Sequence, residues 1–158
     1  MKKILVLVFT GIFLLSACSG EGTEVEVHDP WARPAFEGAN SAVYLLLHNH
    51  SDAADELLSA STDIAETVEI HKSEVDANGV MQMNRQDSVP LPVDAEILFE
   101  PGGLHIMLTG VKKDLNVGDT FPLTLHFKVH PDITLSVHVM DDGSMDHSHM
   151  EMDASPTP

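Results

Sequence analysis

The pentapeptide Leu104-His105-Ile106-Met107-Leu108 carries an imidazole and a thioether two residues apart. Strand alternation turns its three aliphatics to one face and His105 and Met107 to the other, so two metal-capable groups share a surface. Val80-Met81-Gln82-Met83 repeats the pattern with thioethers, and Ile70-His71 sets a second imidazole beside a core-type residue. Imidazole with thioether, lacking thiolate or a carboxylate cage, is a soft-to-borderline donor set suited to Cu(I). Calcium and magnesium would need oxygen ligands. The single cysteine, Cys18, excludes an intramolecular disulfide, a Cys-rich zinc site and a Cys-held iron–sulfur cluster.

Whether His71 and Met83 can reach one ion depends on the turn between them. A two-residue Asn78-Gly79 hairpin makes the numbers of facing residues sum to 157 and puts the two side chains on opposite faces. A three-residue loop, Ala77-Asn78-Gly79 with Gly79 at positive φ, changes the sum to 156 and sets Met83 opposite Ser73, diagonal to His71. Diagonal neighbours lie about 7–8 Å apart at the backbone, within reach of two long side chains aimed at one ion. The three-residue loop, or an equivalent bulge, is therefore the expectation.

His71 and Lys72, ten residues, Met83, twenty-one residues, then His105-Ile106-Met107 follow one another without a gap. This spacing resembles the motif of the PCu(A)C-type periplasmic copper chaperones: histidine, an optional methionine, ten residues, methionine, twenty-one residues, His-x-Met. Gly79-Val80-Met81-Gln82-Met83, Pro101-Gly102-Gly103 before Leu104, Gly118-Asp119-Thr120 and Trp31-Ala32-Arg33 are similar to that family too. The resemblance spans roughly residues 24–140. It implies a cupredoxin-like β-sandwich binding one Cu(I) through His71, Met83, His105 and Met107. It also implies delivery of the ion to the binuclear copper centre of cytochrome c oxidase, directly or through a Sco-type protein. Lys72 stands at the optional methionine position, where a cation beside the site could tune affinity. Met81 is left outside the ligand set as a core-packing residue, and His28, His48 and His50 receive no role.

The elements that must hold these groups read as strands. Phe121, Leu123, Leu125, Phe127 and Val129 alternate with polar residues, as do Ile133, Leu135, Val137 and Val139, and His130-Pro131-Asp132 breaks the two runs. They read as an antiparallel pair. Further strands are expected at 24–28, 42–48, 67–73, 80–85, 96–99 and 104–109. Seven or eight short strands without a four-turn helix predict an all-β, antiparallel two-sheet sandwich with cupredoxin-like Greek-key connections. Trp31 is expected as a buried anchor.

Lys2 and Lys3 followed by the apolar run Ile4 to Leu15 read as an export signal, too short for a membrane span. Leu15-Ser16-Ala17-Cys18 resembles a bacterial lipobox, which implies removal of residues 1–17 and lipidation of Cys18. Residues 18–23 then form a spacer and 24–140 the binding domain. Such a protein is exported to the cell envelope, anchored to the membrane by lipid and faces the periplasm or extracytoplasmic space. With the cysteine committed to lipid, a His₂Cys blue-copper carrier is excluded.

Eight basic against 25 acidic residues, a net charge of −17, exclude a nucleic-acid partner, which needs Lys and Arg to neutralise phosphates. Residues 141–158 lack aromatic and β-branched core formers but for Thr157, and read as a disordered acidic tail rich in His and Met. Met145, His147, His149, Met150 and Met152 there could capture Cu(II) through imidazole and carboxylate or Cu(I) through thioether. His126, His130, His138 and Met140 face away from the expected core and form a candidate auxiliary patch leading into that tail. No nucleophile–base pair or HExxH motif is present, which points to a binding and transfer protein rather than an enzyme. An envelope copper buffer or resistance lipoprotein dominated by the tail is the alternative. A metal-free adhesion or assembly lipoprotein is the third class.

Overall fold

Period-two patterning produces ten strands in the computed structural model, which describes residues 25–141. The strands are β1 (Val25–Ala32), β2 (Ser41–Asn49), β3 (Asp55–Ser61), β4 (Ala65–Val75) and β5 (Met81–Arg85), followed by β6 (Val89–Leu91), β7 (Glu96–Phe99), β8 (Leu104–Val111), β9 (Thr120–Phe127) and β10 (Ile133–Val139). The export signal, Cys18, the spacer and the tail from residue 142 onward lie outside the described residues.

The fold is all-β, as expected, but the antiparallel two-sheet arrangement is not what the hydrogen bonds describe. All ten strands join one mixed sheet in the order β5-β4-β8-β7-β2-β1-β10-β9-β3-β6. β1 runs parallel to β10, with Trp31 facing His138 and Ala32 facing Val139. Alternation tells which face of a strand is apolar and nothing about its partner's direction, so this long-range pairing was invisible in the pattern. β3 and β4 touch although six strands separate them in the order, so the sheet curls until its ends meet. One apolar cluster fills the interior, with Leu47, Leu57, Ile106, Leu108, Leu123, Leu125 and Val137 fully buried.

Two strands escaped the sequence pattern, each for a local reason. β3 shifts register between Leu57 and Ser59, which breaks alternation and leaves Leu58 exposed while Leu57 and Ala60 are buried. β6 is Val89-Pro90-Leu91 at the sheet edge, where a residue without an N–H is tolerated. The antiparallel β9–β10 pair forms as expected, from Leu125 facing Ile133 to Thr120 facing His138. Val129 nevertheless stays outside the strand and exposed. The Asp55 carboxylate takes the N–H groups of Val129 and His130 at 2.9 and 2.8 Å, which turns the chain there.

The β4–β5 hairpin has the three-residue loop. Asp76 N–H donates to Val80 O and Gly79 N–H to Asp76 O, with Gly79 at φ 80°. The Asp76 carboxylate accepts from Asn78 N–H at 2.8 Å and Val80 N–H at 2.9 Å. Those bonds from Val80 and Asn78 hold its carboxyl below the usual range. The facing pairs His71–Arg85, Ser73–Met83 and Val75–Met81 carry the 156 sum. Space around Gly79 is open, so its requirement is purely one of backbone conformation. Gly79→Ala is expected to lower unfolding free energy by about 1–2 kcal/mol, read from the denaturant midpoint at unchanged m-value.

Candidate metal centre

Strand β8 supplies the buried half of the site. Leu104, Ile106 and Leu108 pack on the core, which turns His105 and Met107 to the opposite face. Adjacent β4 faces it with His71 opposite His105 and Glu69 opposite Met107. On the far side of β4, the hairpin register sets Met83 opposite Ser73, on the same face as His71 and diagonal to it. From the other side β2 brings Ala42 opposite Met107, and Tyr44 follows two residues on. Three strands thus lay His71, Met83, His105 and Met107 along one face, and β2 adds Ala42 and Tyr44 beside them.

Between β7 and β8, Glu100-Pro101-Gly102-Gly103 forms a turn closed by Gly103 N–H on Glu100 O, with Gly102 at φ 84°. A positive-φ glycine at the third position is what a type II turn requires, and proline at the second favours it. The turn delivers the Gly103 carbonyl to two donors, Ser73 N–H at 3.0 Å and His105 Nδ1 at 3.1 Å. A carbonyl only accepts, so His105 carries its proton on Nδ1 and Nε2 keeps a lone pair. His105 is 4 % exposed, walled by His71 at 5.9 Å and Tyr44 at 6.4 Å between ring centroids. Burial, above all, pushes its pKa down against the Gly103 bond, and the nearby His71 and Arg33 add to the shift. Its neutral, ligating form is thereby favoured.

A pocket of about 360 Å³ opens over this face, lined among others by Met81, Met83, His105, Met107, Tyr44 and Arg33. Met83 is about half and Met81 about two-thirds exposed on β5, an edge strand with every residue exposed. His71 is not part of the lining; its Nε2 lies 3.0 Å from Glu69 Oε2, and its buried Nδ1 has no hydrogen-bond partner among the described residues. Those residues also contain no group of three His, Cys, Asp or Glu side chains able to hold a metal ion. An ion at this rim would therefore need thioether sulfur, the chemistry of Met83 and Met107.

Met81, left outside the ligand set, does not pack a core: it is exposed and its side chain shares the pocket with Met83, as their i, i+2 spacing on one strand implies. Glu69 was missed as well, although it stands two residues before His71 on the same face. The Trp31 anchor is buried as expected and stacks on Tyr44 at 4.6 Å, with Met140 packed against that cluster.

The remaining auxiliary residues do not share one place. His126 bonds Ser61 Oγ through Nε2 at 2.7 Å and Asp132 through Nδ1 at 2.8 Å. His130 Nδ1 lies 2.7 Å from Pro131 O, its ring edge-on to Phe127. The register puts His138 six residues along β10 from the level of His126, roughly 20 Å away. Met145, His147, His149, Met150 and Met152 lie outside the described residues.

Residues 25–139 match the sequence family described as "Putative lipoprotein LpqE-like". The chain belongs to the LpqE-like lipoprotein family. One relative of this LpqE-like chain, the uncharacterized protein RP573 of Rickettsia prowazekii, is 35% identical over 127 residues, covering 75% of this chain and 69% of the relative. Solved structures similar to this chain include PCuAC domains. The copper-bound PCuAC domain from PmoF2 is 25% identical at a TM-score of 0.61, covering 75% of this chain and 93% of that domain. The solution structure of CuI-DR1885 from Deinococcus radiodurans is 24% identical at a TM-score of 0.54, covering 73% and 79%. The shared fold is all-β and cupredoxin-like.

The shift on His105 makes the metal-free LpqE-like protein sensitive to acid. Its folded pKa lies below the ordinary 6.5, so on acidification the unfolded chain takes up this proton first. The stability it contributes is full above about 6.5 and is lost as pH falls toward the folded value. Urea midpoints of the metal-free protein are expected to fall across that window, and to fall less in His105→Gln.

Proposed function

We propose that this protein is a copper chaperone that binds one Cu(I) through His71, Met83, His105 and Met107. One observation carries the reading: two thioethers and a buried histidine with a bare Nε2 line a single pocket, beside a second imidazole on the facing strand. Two sulfurs with two neutral imidazoles suit a soft monovalent ion better than a hard divalent one. The copper-bound PmoF2 domain, which shares the fold, supports the same cargo.

The residues divide the work. His105 and Met107, on a strand whose alternate side chains are core, supply fixed donors. Met83, on the exposed edge, supplies a donor that an approaching acceptor can reach. Ligand exchange through a shared intermediate follows from such a rim, in keeping with a carrier that performs no bond chemistry of its own. The acceptor in this reading is the binuclear copper centre of cytochrome c oxidase or a Sco-type protein. Lipid on Cys18 holds the protein to the membrane on the periplasmic or extracytoplasmic side. Met145, His147, His149, Met150 and Met152 of the tail serve as an auxiliary trap that includes Cu(II).

Competition for Cu(I) against a chelator tests the site. Met83→Leu and His105→Ala are each expected to weaken binding by more than the roughly 10–100-fold that loss of an outer-shell partner costs. Parent-like affinity in both would sink the assignment. Because both imidazoles must be neutral to ligate while thioethers do not titrate, affinity is expected to fall with pH; a flat profile down to well below the histidine range contradicts it. Deleting residues 141–158 separates carrier from buffer. The carrier keeps its high-affinity Cu(I) site, whereas a tail-dominated buffer loses most of its capacity.

A further inference from the structure

His71 sits between two unlike surroundings. Its Nε2 lies 3.0 Å from Glu69 Oε2, while the other oxygen of that carboxylate holds Arg85 Nη1 at 3.1 Å. Its Nδ1 is buried and has no hydrogen-bond partner among the described residues. The sheet explains the grouping: Glu69 and His71 are two apart on one face of β4, and Arg85 is the residue facing His71 from β5.

Only one protonation pattern fits these contacts. A proton on Nδ1 alone would leave a bare Nε2 facing a carboxylate oxygen, acceptor against acceptor, and would bury an N–H with nothing to receive it. An imidazolium would keep the second of those costs. With the proton on Nε2, the Glu69 bond is made and Nδ1 presents a buried lone pair. His105 has the reverse arrangement, since Gly103 O fixes its proton on Nδ1.

We infer that Glu69, itself held by Arg85, is the positioning residue of the centre: it fixes the tautomer and ring plane of His71 so that this histidine ligates copper through Nδ1, while His105 ligates through Nε2. The inference rests on the copper reading above and deepens it. Outer partners of this kind orient a ligating imidazole and raise its basicity, and their loss typically costs 10–100-fold in metal affinity. Arg85 fixes which way the carboxylate replacement must turn. In Glu69→Gln the guanidinium, a pure donor, retains the amide oxygen, so the amide NH₂ is presented to His71 Nε2. That nitrogen must then accept, and the proton moves to Nδ1, the ligating atom.

Two readouts on the full chain test this. The first needs no metal: long-range proton–nitrogen correlation spectra at mildly alkaline pH are expected to show His71 protonated at Nε2 and His105 at Nδ1 in the parent, with His71 switched to Nδ1–H in Glu69→Gln. Glu69→Ala removes the constraint, and a mixture of His71 tautomers is expected. The second is Cu(I) affinity by chelator competition, with His71→Ala as reference: Glu69→Gln and Glu69→Ala are each expected to bind about 10–100-fold more weakly than the parent. A parent His71 protonated at Nδ1 would overturn the inference. So would Glu69 variants within about threefold of the parent while His71→Ala is weakened, an outcome that leaves the copper reading standing. A parent chain that binds no Cu(I) removes both.

Discussion

Strand β4 is hydrogen-bonded on both sides, and the register on each side decides which side chains meet at the rim. Against β8 it sets His71 beside His105; against β5 it sets Ser73 beside Met83. Slipping either ladder by one residue would turn a donor to the opposite face, because side chains alternate with a period of two. The first register is held by Ile70 and Ile106, which face each other across the two strands and are buried in the core. The second has no core contact, since β5 is exposed throughout, and depends on the Asp76–Gly79 turn instead. The grouping of these side chains, and with it the proposed soft-metal chemistry, is thus tied to one hydrophobic constraint and one backbone constraint.

The same division explains what could be read in advance. The β8 face was legible because Leu104, Ile106 and Leu108 alternate with His105 and Met107, and the hairpin loop because only a three-residue turn sets His71 and Met83 on one face. Pairing partners were not legible. Nothing in Trp31 or Ala32 announces a parallel neighbour in β10, and β3 hides behind a bulge that spoils its alternation. Val129 follows the apolar pattern yet leaves the strand because Asp55, distant in sequence, claims the local backbone N–H groups. Glu69 went unnoticed since its role depends on Arg85, sixteen residues later and adjacent only across the hairpin. Met81, as a strand methionine, suggested core packing, but β5 is an edge strand with every residue exposed.

Polar detail around the centre is organised through backbone carbonyls and carboxylates rather than through side-chain networks of like kind. Gly103 O ties the β7–β8 turn to β4 and to His105 at once, so the turn that shapes the pocket also fixes the protonation of a donor. Tyr44, between Trp31 and His105, joins the pocket wall to the small aromatic cluster on which Met140 packs. Met140, near the end of the described residues, therefore packs on the cluster that walls the pocket.

The contrast between β8 and β5 has a dynamic meaning. A central strand clamped by core residues opens only with the whole domain, whereas a five-residue exposed ribbon at the sheet margin frays at a small fraction of that free energy. Amide protons of the ribbon should exchange by local opening long before those of its buried counterpart. His105 and Met107 then belong to the most cooperative part of the molecule and Met83 to the least. Lifting the ribbon away withdraws the Met83 sulfur from the shared face without unfolding anything else.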